Sequence, residues 1–373
     1  MNSVGRWPFW LRFVLAACLG TMAAFGLAPF GIWVATGLSL VLLPVLFLTC
    51  ETRARAAWLG WAFATGYFGH ALMWIVEPFL VDAERYAWMA PFALILMAGG
   101  MALFWAPAFW AARRLDASPL LQAALLIVLL SLGEFARGYL LTGFPWAGIA
   151  QVWVGTPVAQ LLALVGPYGL GALTFVATIP LGFALAGWKS PRSVLTSGAV
   201  TFTCAGLALA YAGTRPEVEQ SPHTVRLVQP NAPQHQKWDP DFAPLFFNRQ
   251  IEFTAASPRP DLIVWPETSV PAWLGSAQPY LDAISVAAQG TPVVLGIQRG
   301  DGPQIYNSVI YLDEDGRQAG LYDKHHLVPF GEYVPFGDVM AGFGIHGFAA
   351  TAGQGFSAGP GAALLNLGKL GLA

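Results

Sequence analysis

The first 213 residues contain one apolar run after another, each long enough to cross a bilayer, and this leaves few folds open. A spanning helix needs about 20 mostly apolar residues, because its backbone polar groups must be satisfied within the segment. Seven stretches qualify: 8–28, 31–50, 56–76, 87–111, 119–140, 158–187 and 193–212. The sixth carries Gly166-Pro167 and Pro180, which predict a kink or an interfacial first turn. The first run is long enough to span and is followed by others, so it reads as a span and not as a cleavable leader. Composition agrees. The 373 residues are 55% hydrophobic and 11% charged, with a mean hydropathy of +0.54, whereas soluble domains carry about 25% charged residues.

The charges divide the chain. Residues 1–213 hold 16 Lys, Arg, Asp and Glu, and the shorter remainder holds 24. We therefore expect a helical membrane domain over residues 1–213 and a water-exposed domain over residues 214–373. Basic residues crowd every second loop: Arg6 and Arg12, Arg53 and Arg55, Arg113 and Arg114, Lys189 and Arg192. Basic loops stay in the cytoplasm, so the N-terminus is cytoplasmic. Seven spans then deliver the C-terminal half to the opposite side, the periplasm in a bacterium. A net charge of −2 with no basic run argues against a nucleic-acid partner. Cys18, Cys50 and Cys204 are too widely spaced for a metal motif, and all lie in apolar runs. We expect no metal and no cofactor.

Glu134 and Arg137 stand one helical turn apart near the outer end of the fifth run, where they can pair. The aromatic loop Thr142-Gly-Phe-Pro-Trp146 follows. An interfacial ion pair with an aromatic belt fits these residues, and so does a mouth for a lipid substrate.

After Arg215-Pro216 the pattern changes to short strands and amphipathic helices. Strands are expected at 224–229, 262–265, 292–298, 305–312 and 320–322, and helices at 241–256 and 278–289. The turn Asp313-Glu-Asp-Gly316 joins the last two strands. This order predicts a layered α/β domain. Residues 337–361, rich in Gly and Ala, read as a long loop. Apolar runs at 362–367 and 370–373 follow, and the last reads as the start of a strand.

Two stretches carry chemistry. In Asp261-Leu-Ile-Val-Trp-Pro-Glu267, four apolar residues form a buried strand and Pro266 stops it. Glu267 is delivered to the loop beyond, where open α/β sheets place their reactive groups. Beside Trp265 and Pro266 its carboxylate is expected to be poorly hydrated, which suits a general base. An exposed loop glutamate accounts for the same residues. In Tyr322-Asp-Lys-His-His-Leu-Val-Pro-Phe-Gly-Glu-Tyr-Val-Pro335, Lys324 sits where a strand gives way to a loop. A fixed ammonium there can stabilise an oxyanion. Glu332 adds a second carboxylate, although a solvated ion pair is the plainer account of the two. His325 and His326 are adjacent and face opposite ways in an extended segment, a poor arrangement for a metal. Upstream, the polar loop Gln236-Lys-Trp-Asp-Pro240 holds one large aromatic, Trp238. A base and a cation are two parts of an acyl-transfer site, and the third is a nucleophile. The second half has no cysteine, and Ser269 and Ser308 lack a nucleophile elbow.

These stretches resemble the bacterial apolipoprotein N-acyltransferases, membrane-anchored members of the nitrilase superfamily. The likeness runs through Gly133-Glu-Phe-Ala-Arg-Gly-Tyr-Leu-Leu-Thr-Gly-Phe-Pro-Trp146, Lys237-Trp-Asp239, Trp265-Pro-Glu-Thr268 and the motif from Lys324 to Pro335, and covers nearly all of the chain. It implies a multi-pass α-helical membrane domain joined to an α/β nitrilase-like domain, an αββα sandwich, the latter incomplete. It implies a Glu–Lys–Cys triad, with Glu267 as general base and Lys324 stabilising the oxyanion. Glu332 is the supporting carboxylate and Trp238 the substrate-positioning aromatic. The family's cysteine follows the region where this sequence stops. We therefore expect a C-terminally truncated chain, without its nucleophile and inactive as it stands.

The implied reaction takes an acyl chain from a membrane phospholipid through a thioester acyl-enzyme. It passes the chain to the N-terminus of a diacylglyceryl apolipoprotein, and we expect a monomer in the bacterial inner membrane. The 337–361 loop is a candidate lid. Two rivals remain. One is a membrane-tethered nitrilase-type amidase, against which seven spans argue. The other is a non-catalytic relative that binds lipid or lipoprotein. The reading frame beyond codon 373 separates an enzyme from such a relative.

Overall fold

Helices that are apolar all round have no polar stripe to turn toward water, so they settle in lipid or inside a bundle. The computed structural model describes residues 6–80, 83–114, 118–141, 143–186, 191–214, 220–233, 236–329, 331–333 and 355–371. The chain forms two compact units, Met1–Glu217 and Val218–Ala373. The first is helical: α1 (Phe9–Ala24), α2 (Trp33–Phe47), α3 (Arg53–Ala71), α4 (Ala83–Tyr86), α5 (Ala90–Ala102), α6 (Ala106–Arg114), α7 (Pro119–Tyr139), α8 (Leu162–Ala186) and α9 (Pro191–Gly213). Three stretches, Ala83–Arg113, Pro119–Tyr139 and Pro157–Ala186, are long and apolar enough to cross a membrane. α1 and α2 are apolar but shorter. Trp88, Ile95, Leu96 and Leu132 lie exposed on this unit, as side chains that face acyl chains do.

The run 87–111, expected as one span, is broken. α5 ends at Ala102, and tighter i to i+3 bonds carry the chain through Leu103, Phe104 and Trp105 before α6. Pro107 has no N–H to continue the ladder, which accounts for the stop. The break turns the Trp105 indole onto α7, where Nε1 donates to Glu134 Oε1 at 3.0 Å. Gly166, at φ 65° and ψ −178°, makes the expected kink in α8. Glu134 and Arg137 pair at 2.9 Å, and both are buried. Arg137 Nη1 also donates to the carbonyls of Phe144 at 2.5 Å and Trp146 at 2.6 Å. Glu134 Oε2 accepts from the Ile149 N–H at 3.1 Å. The pair is buried in the unit and clamps the aromatic loop.

The second unit contains β1 (Val225–Leu227), α10 (Ala243–Ala255), β2 (Leu262–Val264), α11 (Gln278–Ala288), β3 (Val293–Asp301), β4 (Gln304–Leu312) and β5 (Gln318–Asp323). The element order is the expected one, with ends moved by up to three residues. The five strands lie side by side in sequence order. β1 to β3 run parallel, and β3 to β5 are antiparallel.

Alternation along the strands sorts the two faces. Ile263, Leu295, Ile297 and Ile310 join Leu281 and Ile284 of α11 in the main core, and Phe247 adds α10. Each such side chain contributes about 1.5–3 kcal/mol when fully buried. Leu262, Val264, Val294 and Tyr311 point the other way and meet Leu365, Leu367 and Leu370. One sheet with one helix layer is half of an αββα sandwich. Leu370 ends a single 3-10 turn, Gly368–Leu370, and residues 372–373 of the strand expected from 370 lie outside the described residues. Of the expected 337–361 loop, residues 337–354 lie outside the described residues.

Candidate active site

Glu267 and Lys324 leave the sheet from β2 and β5, with β3 and β4 in between. Three strand spacings amount to about 14 Å, yet Lys324 Nζ lies 3.2 Å from Glu267 Oε1. A loop crossing closes the gap. After Pro266 the chain folds over β3 at Gly296. Gly296 N donates to Pro266 O at 3.3 Å, and Ser269 N to Gly296 O at 2.9 Å. A Cβ on Gly296 would sit 2.6 Å from Glu267 Cα and 2.5 Å from Thr268 N, so a glycine is needed for this approach.

β5 ends at Asp323, whose carboxylate is held by Arg299 Nη2 at 2.7 Å and Ser308 Oγ at 2.6 Å. Lys324 N donates to Asn307 O of β4 at 2.9 Å, which extends the pairing one step further. Glu332 comes from the loop after β5. Its N–H donates to Val328 O and its Oε2 accepts from the Val328 N–H, both at 2.8 Å. Its Oε1 lies 3.0 Å from Lys324 Nζ. Asn307, buried on β4, donates Nδ2 to Oε1 of Glu267 and, at 2.9 Å, to Oε1 of Glu332. Two carboxylate oxygens therefore face two donors, an ammonium and an amide.

Burial pulls the Lys324 ammonium down. The hydrogen bond it donates to Glu332 and the charges of Glu267 and Glu332 outweigh it and hold the pKa above the ordinary lysine value. Lys324 is thus a cation at neutral pH with two of its three N–H groups engaged. The expectation for Glu267 is corrected. Its side chain is 61% exposed, so its carboxylate is hydrated as well as paired. The physical reason is Trp265, which turns inward instead of shielding it. The indole Nε1 donates to Thr254 Oγ1 at 2.9 Å, and Phe247 packs edge-on. The sheltered carboxylate is Glu332, 12% exposed.

Trp238 lines a pocket with Phe246, Pro266, Thr268 and Ser269. Lys237 links it to the cluster, with Nζ 5.3 Å above the Trp238 ring and donating to Glu267 O at 3.2 Å. Burial lowers the Lys237 pKa, with Glu267 opposing. The two serines are structural: Ser269 Oγ donates to Gly296 O at 3.2 Å, and Ser308 holds Asp323. His325 Nδ1 lies 2.6 Å from the Tyr322 hydroxyl. Among the described residues no group of His, Cys, Asp and Glu is arranged to hold a metal.

Residues 19–179 match the apolipoprotein N-acyltransferase N-terminal domain, and residues 224–371 match carbon-nitrogen hydrolase. The chain is 34% identical over 382 residues to the apolipoprotein N-acyltransferase of Allorhizobium ampelinum, covering 96% of this chain and 72% of the relative. It is 35% identical over 386 residues to that of Brucella suis, with 94% and 70% covered. For that of Caulobacter vibrioides the identity is 34% over 375 residues, with 94% and 69% covered. This chain belongs to the apolipoprotein N-acyltransferase family.

In this family member Glu267, Lys324 and Glu332 meet in one cluster, with Trp238 alongside through Lys237. Gly296 and Asn307 were not singled out from the sequence. Gly296 carried a signal, since a glycine inside the strand Val293-Val-Leu-Gly-Ile-Gln298 marks a close backbone approach. Asn307 carried none, because only the pairing of β4 with β5 reveals that it faces both carboxylates.

Proposed function

We propose that this protein transfers an acyl chain from a membrane phospholipid to the α-amine of the diacylglyceryl-cysteine that begins an apolipoprotein. The observation that carries this reading is the Lys324 ammonium, fixed between Glu267 and Glu332 with one N–H left over among the described residues. It lies in a carbon-nitrogen hydrolase domain joined to an apolar helical unit. The protein acts in the bacterial inner membrane. Seven crossings, a cytoplasmic N-terminus and a periplasmic C-terminal unit follow from its basic loops.

Glu267 accepts the proton of a cysteine thiol, and the thiolate attacks the ester carbonyl carbon. The remaining Lys324 N–H stabilises the oxyanion. The ester C–O bond breaks, Glu267 returns the proton to the leaving oxygen, and a lysophospholipid departs from the thioester. The acceptor amine then attacks the thioester carbonyl. It loses a proton to Glu267 and forms an amide, and the thiol is restored. Glu332 and Asn307 hold base and cation in register, and Trp238 offers its ring to the substrate. Cys18, Cys50 and Cys204 belong to the N-terminal unit, and this reading assigns the thiol to none of them.

The test uses protein expressed from its full reading frame and phospholipid with a labelled acyl chain. The expected result is a covalent label that hydroxylamine releases and that a diacylglyceryl peptide accepts. Lys324→Met and Glu267→Gln should each abolish the labelling. Hydrolysis of small amides with no label transfer would make it an amidase, and lipid binding with no label would make it a non-catalytic relative.

A further inference from the structure

The chain returns to the cluster once more, through Gly355-Phe-Ser-Ala-Gly359. Three main-chain N–H groups of this stretch reach across to the segments that carry the charged residues. Phe356 N donates to Glu332 O at 2.7 Å, Ser357 N to Ile305 O at 2.7 Å, and Gly359 N to Lys324 O at 2.9 Å. The acceptors lie on separate segments: the loop after β5, the start of β4, and the first residue beyond β5. β4 is also the strand that presents Asn307. One short stretch therefore ties together the backbones of Lys324 and Glu332 and the strand of Asn307.

The approach is close. A Cβ on Gly359 would sit 2.1 Å from Asp323 O, and one on Gly355 would sit 2.5 Å from Glu332 O. Gly355 has φ 77° as well, whereas the φ of Gly359 lies outside the left-handed region. At Gly359 the need for glycine is thus the contact itself. Beyond Pro360 the stretch is anchored, since Leu365, Leu367 and Leu370 pack on the sheet against Leu262, Val264, Val294 and Tyr311.

A lysine ammonium rides on a flexible four-carbon stem. Its head is placed only if its root is fixed too. Glu267 and Glu332 hold the head of Lys324. Its root is held from both sides, with Lys324 N donating to Asn307 O and Lys324 O accepting from Gly359 N. Glu332 is treated alike, with its N–H on Val328 O and its carbonyl on Phe356 N.

We propose that residues 355–359 form a positioning strap, which holds Lys324 and Glu332 by their main chains and so places the ammonium where the oxyanion forms. Glu267 is positioned separately, by the crossing at Gly296. The part given to the ammonium rests on the acyl-transfer reading, whereas the tie itself does not.

The test uses Gly359→Ala in protein expressed from its full reading frame. The added methyl group drives residue 359 off Asp323 O and breaks its bond to Lys324 O. An oxyanion contact is made only in the transition state, so its loss lowers kcat and leaves KM alone. Transfer of labelled acyl chain should fall about 100-fold in kcat, the cost of a displacement of about 1 Å, with KM unchanged. Hydrogen exchange should rise in peptides over 322–333 and stay at the wild-type level over 262–268. Leu367→Ala, in the buried part of the same segment, should lower Tm and leave the kcat of the folded protein unchanged. Gly355→Ala, which presses on Glu332 O, stands in if Gly359→Ala does not fold. Unchanged kcat in an active enzyme overturns the proposal, and so does an equal fall for Leu367→Ala. If the wild type transfers no label, the acyl-transfer reading fails instead, and unchanged exchange over 322–333 overturns the tie.

Discussion

Asn307 shows how one side chain can hold a charged cluster together. Its amide nitrogen serves Oε1 of both Glu267 and Glu332, which also share the Lys324 ammonium. Two carboxylates on one cation repel each other unless a second donor lies between them. Asn307→Asp replaces that donor with a third carboxylate. We expect acyl transfer to fall about 100-fold, mainly in kcat, as for the loss of one preorganised donor; steady-state kinetics check this. Asp323 is the second case. Burial pushes its carboxyl up, but the hydrogen bonds from Arg299 and Ser308 outweigh burial and hold it below the usual aspartate value. A carboxyl depressed by folding adds stability above its unfolded pKa, near 4, and loses it as pH falls through the folded value. At pH 7, Asp323→Asn should therefore cost about 2 kcal/mol. The difference from wild type should vanish in acid, below the folded pKa, when thermal unfolding is followed against pH.

At the scale of elements, the crossing of the 266–269 loop over β3 decides whether there is a site at all. Gly296→Ala places a methyl group where Glu267 Cα and Thr268 N lie within 2.6 Å of it. The loop must lift, and a displacement of about 1 Å costs about 100-fold in rate. β3 keeps its core residues Leu295 and Ile297, so hydrogen exchange in the sheet should be little changed while activity is lost. On α7, the Glu134–Arg137 clamp makes a different prediction. Arg137→Leu strands a buried carboxylate and should cost about 3–5 kcal/mol. Glu134→Leu/Arg137→Leu removes both charges and should cost less, although the carbonyls of Phe144 and Trp146 lose their donor. A double-mutant cycle on thermal stability measures the coupling.

For the whole molecule, the division into a helical and an α/β unit separates lipid-adapted from water-adapted chemistry. The basic loops predict which side each faces. In intact cells a single cysteine introduced at Ser276, exposed in the C-terminal unit, should react with a membrane-impermeant thiol reagent. One at Arg53 should react only after the inner membrane is opened. The opposite result would reverse the orientation and remove the reading of Arg53 and Arg55 as cytoplasmic.

The apolar runs, the change of pattern after Gly213, the order of strands and helices, and the kink at Gly166 were all legible in the sequence. Each is set by chain chemistry within about 20 residues: run length, alternation, and the missing N–H of proline. The break at 103–105 was missed, because apolar content continues unchanged through it. Glu267, Lys324, Glu332 and Trp238 were legible as motifs, and the meeting of Glu267 with Lys324 was implied by the family resemblance, not by their spacing in the chain. Tertiary structure alone decided that Trp265 turns into the core and leaves Glu267 hydrated, that the loop crosses at Gly296, and that Asn307 lies between the carboxylates. Those outcomes depend on strand register and loop path, which residues far apart in the chain settle together.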